Sequence, residues 1–285
     1  MSGIRNFGAS TGRAITTAII LAGACLLPAA ARAQASNPNQ GALSVAGGVD
    51  TASVYVFRGM VQESKPKVTL FPYASLGVAL KSDGSRRTLG LDVGLWNSLN
   101  TGNAGSAGFT EHLHYQENFY ATLSTALSRS LTAAATYTTY TSPNLMMETV
   151  REVSLRVSQA GRIAPYGLAA IELGANGADS GTTRGTYVEL GAAPQLLRGR
   201  LSVAVPVRLG LSASHYYELN GTDHPYGFVA VGGRASLPMS FVQPAFGRWS
   251  LHGDVDYYRF GTTTQAMNAG HASKVVASGG IAFAY

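Results

Sequence analysis

The sequence predicts an all-β chain that closes into a single antiparallel transmembrane β-barrel of about twelve strands. Three observations carry that prediction. Apolar residues recur at every second position in segment after segment, most plainly where Leu201, Val203, Val205, Val207, Leu209 and Leu211 share one parity and Ser202, Ala204, Pro206, Arg208 and Gly210 the other. A period of two sends alternate side chains to opposite faces of a sheet. The non-apolar parity holds mainly Gly, Ser, Thr, Tyr and Ala with scattered charges, whereas a soluble sandwich solvates its outer face with Lys and Glu. Long and short connections alternate along the chain, as they do when strands shuttle between the two rims of a barrel.

The first residues are set apart from this pattern. Arg5 and Arg13 precede an apolar run from Ala14 to Ala31, and Ala31-Arg32-Ala33 forms a small-x-small site. Residues 1–33 are therefore expected to be a cleaved secretory signal peptide, with a second cleavage point after Ala35, and 36–285 the barrel. Cys25, the only cysteine, leaves with the signal; Leu21 stands one place too far upstream to mark it for lipid attachment. No disulfide, thiol catalyst or cysteine-based metal site is then available. Arg5, Arg13 and Arg32 leave too, so 21 basic residues against 15 acidic become 18 against 15. The pI of 9.5 thus overstates any attraction for nucleic acid, and no such partner is expected. No later stretch approaches eighteen consecutive apolar residues, so any membrane crossing is by strands. Together these features predict the outer membrane of a Gram-negative cell, with outer-membrane lipid around the wall.

Taken in order, alternation places strands near 45–60, 68–80, 86–98, 116–127, 131–141, 148–159, 163–174, 185–194, 200–211, 226–237, 248–260 and 274–285. Twelve is an even number, as single-chain bacterial barrels require. In the third strand Leu89, Leu91, Val93 and Leu95 oppose Gly90, Asp92, Gly94 and Trp96; in the sixth, Val153, Leu155 and Val157 oppose Glu152, Ser154 and Arg156. In the tenth, Val229 and Val231 oppose Phe228, Ala230 and Arg234. From a periplasmic N-terminus the even connections are short turns, such as Ser128-Arg129-Ser130 and Gln159-Ala160-Gly161-Arg162, and the odd ones are longer external loops. Pro238 to Gly247 departs from the rule, and Pro72 and Pro206 each remove a ladder hydrogen bond inside an expected strand. Tyr55, Phe57, Phe119, Tyr137, Trp249, Tyr257, Phe283 and Tyr285 fall on the outward parity, as interfacial girdles would. Trp249 and Tyr257 lie eight residues apart, about 19 Å along the normal at a 45° tilt, close to the apolar band height.

The last eleven residues, VVASGGIAFAY, resemble the terminal strand of bacterial outer-membrane barrels. The resemblance implies that the barrel-assembly machinery recognises this strand. The stretch VYVFRGMVQESKPKVTLFP, through Tyr55, Phe57, Arg58, Gly59 and Pro66, resembles the first hairpin of the TorF-like outer-membrane porin family. That implies an outer-membrane barrel with channel activity, and it carries over no catalytic residue and no substrate.

Parity sends Arg58, Asp92, Glu152, Arg156, Glu172, Glu189, Arg208, Arg234, His252, Asp254 and Asp256 to the lumen. Twelve strands lie between barrels that side chains can fill and those that leave an aqueous channel. The charges therefore read either as a mixed constriction for passive diffusion of small hydrophilic solutes, or as mutual pairs that satisfy a closed interior. The first makes the chain a porin-like transport channel. The second makes it a non-conducting barrel whose external loops bind a ligand or partner.

His112, His114, His215, His224 and His271 fall in the external loops, with Glu111 and Asp223 beside two of them, but lack the fixed spacing of a metal site; no metal is expected. A lipid-acting enzyme needs a Ser held by a His. His252 with Asp254 and Asp256 is the best acid–base cluster, and spacing by two shows only a common face. No catalytic residue and no cofactor is expected, and nucleotide-binding glycine motifs are absent.

Overall fold

The computed structural model describes residues 41–83, 86–102, 104, 112–174 and 183–285. The expected signal peptide, Cys25, Glu111 and most of the loop after the seventh expected strand lie outside the described residues.

In chain order the strands are β1 (Leu43–Ala52), β2 (Tyr55–Phe57), β3 (Met60–Glu63), β4 (Thr69–Asp83), β5 (Arg86–Asn100), β6 (His114–Ala126), β7 (Leu131–Thr141), β8 (Val150–Gln159) and β9 (Tyr166–Glu172). There follow β10 (Thr186–Ala192), β11 (Gln195–Leu197), β12 (Ser202–Ala204), β13 (Val207–Ser214), β14 (Glu218–Leu219), β15 (Thr222–Asp223), β16 (Tyr226–Pro238), β17 (Arg248–Phe260) and β18 (Ser273–Ala284). A short helix, α1 (Thr262–Met267), lies between β17 and β18. With β10–β11 and β12–β13 each taken as one interrupted wall strand, successive wall strands pair antiparallel, β1 pairs β18 and β16 pairs β17, so twelve strands close on themselves. Closure leaves no unpaired sheet edge, which a strand-built membrane crossing requires.

The alternation works as expected around the wall. Val45, Leu91, Leu123, Leu155, Leu190 and Val255 are exposed on the outside, while Asp50, Thr122, Thr136, Ser154 and Asp256 are buried inside. Thr122 and Thr136 are register partners on β6 and β7, and their hydroxyls meet at 2.9 Å across the lumenal face. An aliphatic belt running right round a closed cylinder has no counterpart on a water-soluble monomer, whose apolar patches are small and isolated. The fold is a transmembrane β-barrel.

The prolines act where expected. Pro206 separates β12 from β13, and its carbonyl still receives the Gly232 amide at 2.9 Å. At Pro72 the β4–β5 ladder passes from Leu70–Leu99 directly to Tyr73–Trp96. The long connection after β16 is a 3-10 turn at Pro244–Phe246, with Phe241 and Phe246 exposed.

One expected strand is wrong in its second half. The wall strand at 45–60 ends at Ala52, and residues 54–63 turn inward. Tyr55 and Phe57, expected in the outer girdle, are buried in the lumen at 3% and 7% exposure. Residues 54–60 are apolar or buried on both parities, because the lumen surrounds them on every side. The remaining girdle residues keep the outward parity: Phe119, Tyr137, Tyr257 and Tyr285 are exposed, and the Trp249 and Phe283 rings meet at 4.9 Å as cross-strand partners.

Candidate functional site

The inward segment is a hairpin, β2–β3, that forms its own two-stranded sheet and shares no ladder with the wall. Phe57 pairs with Met60, so the turn consists of Arg58 and Gly59, both with positive φ (46° and 80°). A two-residue turn with both central residues left-handed matches the twist of a tight hairpin and normally selects Asn-Gly or Asp-Gly. Gly59 also has no room for a side chain: a Cβ there would stand 2.7 Å from the Phe228 ring.

Aromatic packing and polar clasps hold the hairpin. Tyr55 lies against Phe71 and Trp96 with ring centroids 5.3 and 5.5 Å away, and Phe57 lies edge-on to Tyr140 at 5.5 Å. The Tyr55 hydroxyl donates to Gln116 at 3.0 Å, the Tyr115 hydroxyl to Gln62 at 2.7 Å, and the Ala104 amide to Glu63 at 2.7 Å. Asn268, at the end of α1, clasps the hairpin backbone from the long-loop rim. Its Oδ1 accepts from the Val61 amide and its Nδ2 donates to the Gly59 carbonyl, both at 2.8 Å.

At the tip, Arg58 is 4% exposed. Its Nη1 and Nη2 donate to the two carboxylate oxygens of Glu152 on β8 at 2.6 and 2.8 Å, and Nη1 also donates to the Tyr216 hydroxyl at 3.0 Å. The guanidinium carbon lies 4.3 Å from the Tyr187 ring centroid and 5.3 Å from that of Tyr216. The Tyr217 hydroxyl donates to the Arg58 carbonyl at 2.9 Å. Burial raises the Tyr216 and Tyr217 hydroxyls well above the ordinary tyrosine range, so both stay neutral.

The other ten expected lumenal residues all lie on the inner wall. Arg208 reaches Asp256 at 2.7 Å and the Tyr258 hydroxyl at 2.8 Å, and Arg234 is paired with Asp254. His252 Nε2 stands 2.9 Å from Asp50 Oδ1 across Gly280, the residue between them in register. A Cβ at Gly280 would collide with Asp50. Asp92 is paired with Arg87 at 2.9 Å. Glu189 accepts from the Tyr166 and Tyr187 hydroxyls at 2.5 Å each, Glu172 accepts from the Gly185 amide at 2.8 Å, and Arg156 stacks 3.5 Å over the Tyr166 ring. Arg58 alone of the eleven is carried by the hairpin rather than the wall.

Below the hairpin, towards the short-turn rim, a small cavity is roofed by Val54, Tyr55 and Val56 and walled by Trp96, Tyr258, Asp50 and His252. Ser278 lines the same cavity, but among the described residues it makes no hydrogen bond to His252, whose Nε2 is taken by Asp50. Of the loop histidines, His114 meets Asn97 Oδ1 at 2.8 Å and His215 meets Glu218 at 2.8 Å.

Sequence reasoning missed Tyr216 and Tyr217, which lie in the loop before β14 and fold back into the lumen. Two adjacent tyrosines in a polar loop were a usable signal, since a water-facing loop has no need of them.

No family model matches the chain, and no curated protein matches it. Among solved structures it is similar to LpxR from Salmonella typhimurium, at 9% identity over 84% of this chain and 99% of that one, with a TM-score of 0.42. It is also similar to a bacterial polysaccharide outer membrane secretin, at 9% identity over 85% and 97%, with a TM-score of 0.37. A Pseudomonas aeruginosa FadL homologue matches at 7% identity over 76% and 66%, also at 0.37. Likenesses at this level fix neither a family nor an activity.

Proposed function

We propose that the protein is an outer-membrane channel for small hydrophilic solutes, shut at rest by its own β2–β3 hairpin, which acts as a displaceable plug. The observation that carries this reading is where the ion pairs lie. Arg87–Asp92, Arg208–Asp256, Arg234–Asp254 and His252–Asp50 all join wall to wall, and among the described residues only Arg58–Glu152 joins hairpin to wall. The wall ladder is complete without the hairpin, four acid–base pairs stand within the wall, and Glu152 keeps the Tyr140 hydroxyl at 3.3 Å when Arg58 leaves. A wall of this kind can stand open. An unsatisfied lumen would not, because unpaired charges and polar groups in a low-dielectric interior are costly.

In this reading the long loops face outward, outer-membrane lipid surrounds the aliphatic belt, and β18 is the strand offered to the barrel-assembly machinery. The TorF-like resemblance of residues 54–72 fits the plug segment itself. The ten lumenal residues carried by the wall then line the opened pathway, Arg58 leaves with the hairpin, and no catalytic role falls to His252.

The test is planar-bilayer conductance of the wild-type barrel beside one in which Val54–Ser64 is replaced by a short Gly-Ser link. Adjacent strands β1 and β4 allow a link of that length, since the Ala52 amide already meets the Thr69 hydroxyl at 2.9 Å. A quiet wild type and steady steps from the deleted form support the channel. A folded, heat-modifiable deletion that never conducts sinks it and leaves the non-conducting barrel with ligand-binding loops.

A further inference from the structure

We infer that the pocket around the Arg58 guanidinium is a binding site for small guanidinium- or ammonium-bearing solutes, with Arg58 as its built-in occupant in the closed barrel. The inference rests on the hairpin being displaceable, as proposed above.

The pocket has the chemistry of a cation cage even when the hairpin's own residues are left out. Glu152 offers two oxygens in fork geometry, Tyr187 offers a ring face at 4.3 Å, and Tyr216 offers both a hydroxyl oxygen and a ring. A planar cation gains from both kinds of contact, bidentate to a carboxylate at its edge and stacked on an aromatic at its face.

The wall sets a second carboxylate beside Glu152. Glu152 and Glu172 are directly opposite one another in the β8–β9 register and are 3% and 2% exposed. Like charges at opposed positions repel, and more strongly when water is excluded. The aspartates of the wall have bases of the wall beside them, whereas the guanidinium at Glu152 is brought in by the hairpin.

Arg58 is, moreover, a poor residue for its turn. Its φ of 46° is a left-handed conformation that costs a residue with a Cβ and that Asn, Asp or Gly would adopt more readily. Its Nε is buried and has no hydrogen-bond partner among the described residues. The turn is therefore built to deliver a guanidinium, and the fit of that guanidinium is incomplete. A free cation that fits the cage competes with Arg58 and shifts the barrel towards the displaced hairpin by mass action.

The experiment uses methylguanidinium chloride, with equal NaCl and urea as controls for ionic strength and shape. In Arg58→Ala the cage is vacated, so methylguanidinium should raise the thermal midpoint saturably, while NaCl and urea do not. The Arg58→Ala/Glu152→Gln form should lose the response. A shift no larger than that from NaCl, or one that survives in the double variant, overturns the site. Should Arg58→Ala fail to refold, the wild type in a planar bilayer gives the reading. There methylguanidinium raises the open fraction, NaCl does not, and an equal effect of both salts overturns the inference. Saturable stabilisation of Arg58→Ala with no conductance under any condition keeps the cage and refutes the moving plug. Conductance from Arg58→Ala with no methylguanidinium response keeps the plug and refutes the cage.

Discussion

Arg58→Ala should move the hairpin from almost always docked to displaced for a measurable fraction of the time. In the docked form the guanidinium and the Glu152 carboxylate are both nearly sealed from water, at 4% and 3% exposure. Removing one partner of a buried pair costs about 3–5 kcal/mol, and the lost stacking on Tyr187 adds roughly 0.5–2 kcal/mol. Once the hairpin leaves, Glu152 is hydrated, so this loss falls on the docked form alone. About 4 kcal/mol is roughly a thousandfold in the docking equilibrium, since each 1.4 kcal/mol is a factor of ten. The Asn268 clasp and the Tyr55–Gln116, Gln62–Tyr115 and Glu63–Ala104 bonds remain, each contributing about 1 kcal/mol. The two forms therefore become comparable, and the plug is not lost outright. Single-channel open fraction is the assay, and the double variant Arg58→Ala/Glu152→Gln decides it. With the stranded carboxylate neutralised, closure should partly return. If the double variant is as open as Arg58→Ala, or if Arg58→Ala stays as closed as the wild type, the pair does not hold the plug.

Other consequences follow from residues outside that pair. Asn268→Ala removes both backbone clasps at the rim and leaves the Val61 amide unpaired, so hydrogen exchange at Val61 should speed by about 10- to 100-fold, equivalent to roughly 1–3 kcal/mol. Burial raises Tyr216 and Tyr217 above their ordinary value of 10.0, so above that pH the packed form holds protons that the released form gives up, and stability falls as pH rises. Open fraction should therefore climb at strongly alkaline pH, and in Tyr216→Phe/Tyr217→Phe this alkaline component should be absent. Gly280→Ala places a Cβ against Asp50 Oδ1 and 2.6 Å from the Val49 carbonyl, forcing β1, β17 and β18 apart where His252 meets Asp50. The expected cost is about 1–3 kcal/mol in the urea midpoint of the folded barrel, with no change in the charge of the lumen.

The wall was legible because a membrane barrel imposes the same two-sided demand on every strand. Leu209 and Arg208 cannot exchange faces without putting a charge in lipid, so parity alone sorted them. The hairpin was not legible, because parity says nothing once a segment is enclosed on all sides. Tyr55 and Phe57 alternate as a girdle strand would, yet what surrounds them is the lumen. Arg58-Gly59 is also a turn in disguise, since Asn or Asp is the usual partner of Gly there and an Arg reads as one more inward strand residue. Tyr216 and Tyr217 sit more than 150 residues from Arg58 and meet it only through barrel closure. Charge partners were half legible: spacing by two put His252, Asp254 and Asp256 on one face, but their partners Asp50, Arg234 and Arg208 come from other strands, and a register is needed to find them.

The most direct test of the central claim is to lock the hairpin in place and release it in the same molecule. A chain started at Ser36 carries no native cysteine, so Val61→Cys with Asn268→Cys in the Arg58→Ala background introduces the only thiol pair. The Val61 amide lies 2.8 Å from the Asn268 side chain, within reach of a short bifunctional thiol reagent with a reducible link. Cross-linking should silence the open events, and reduction should restore them in the same bilayer. Channels that conduct equally well with the cross-link intact would contradict the claim that this hairpin closes the barrel.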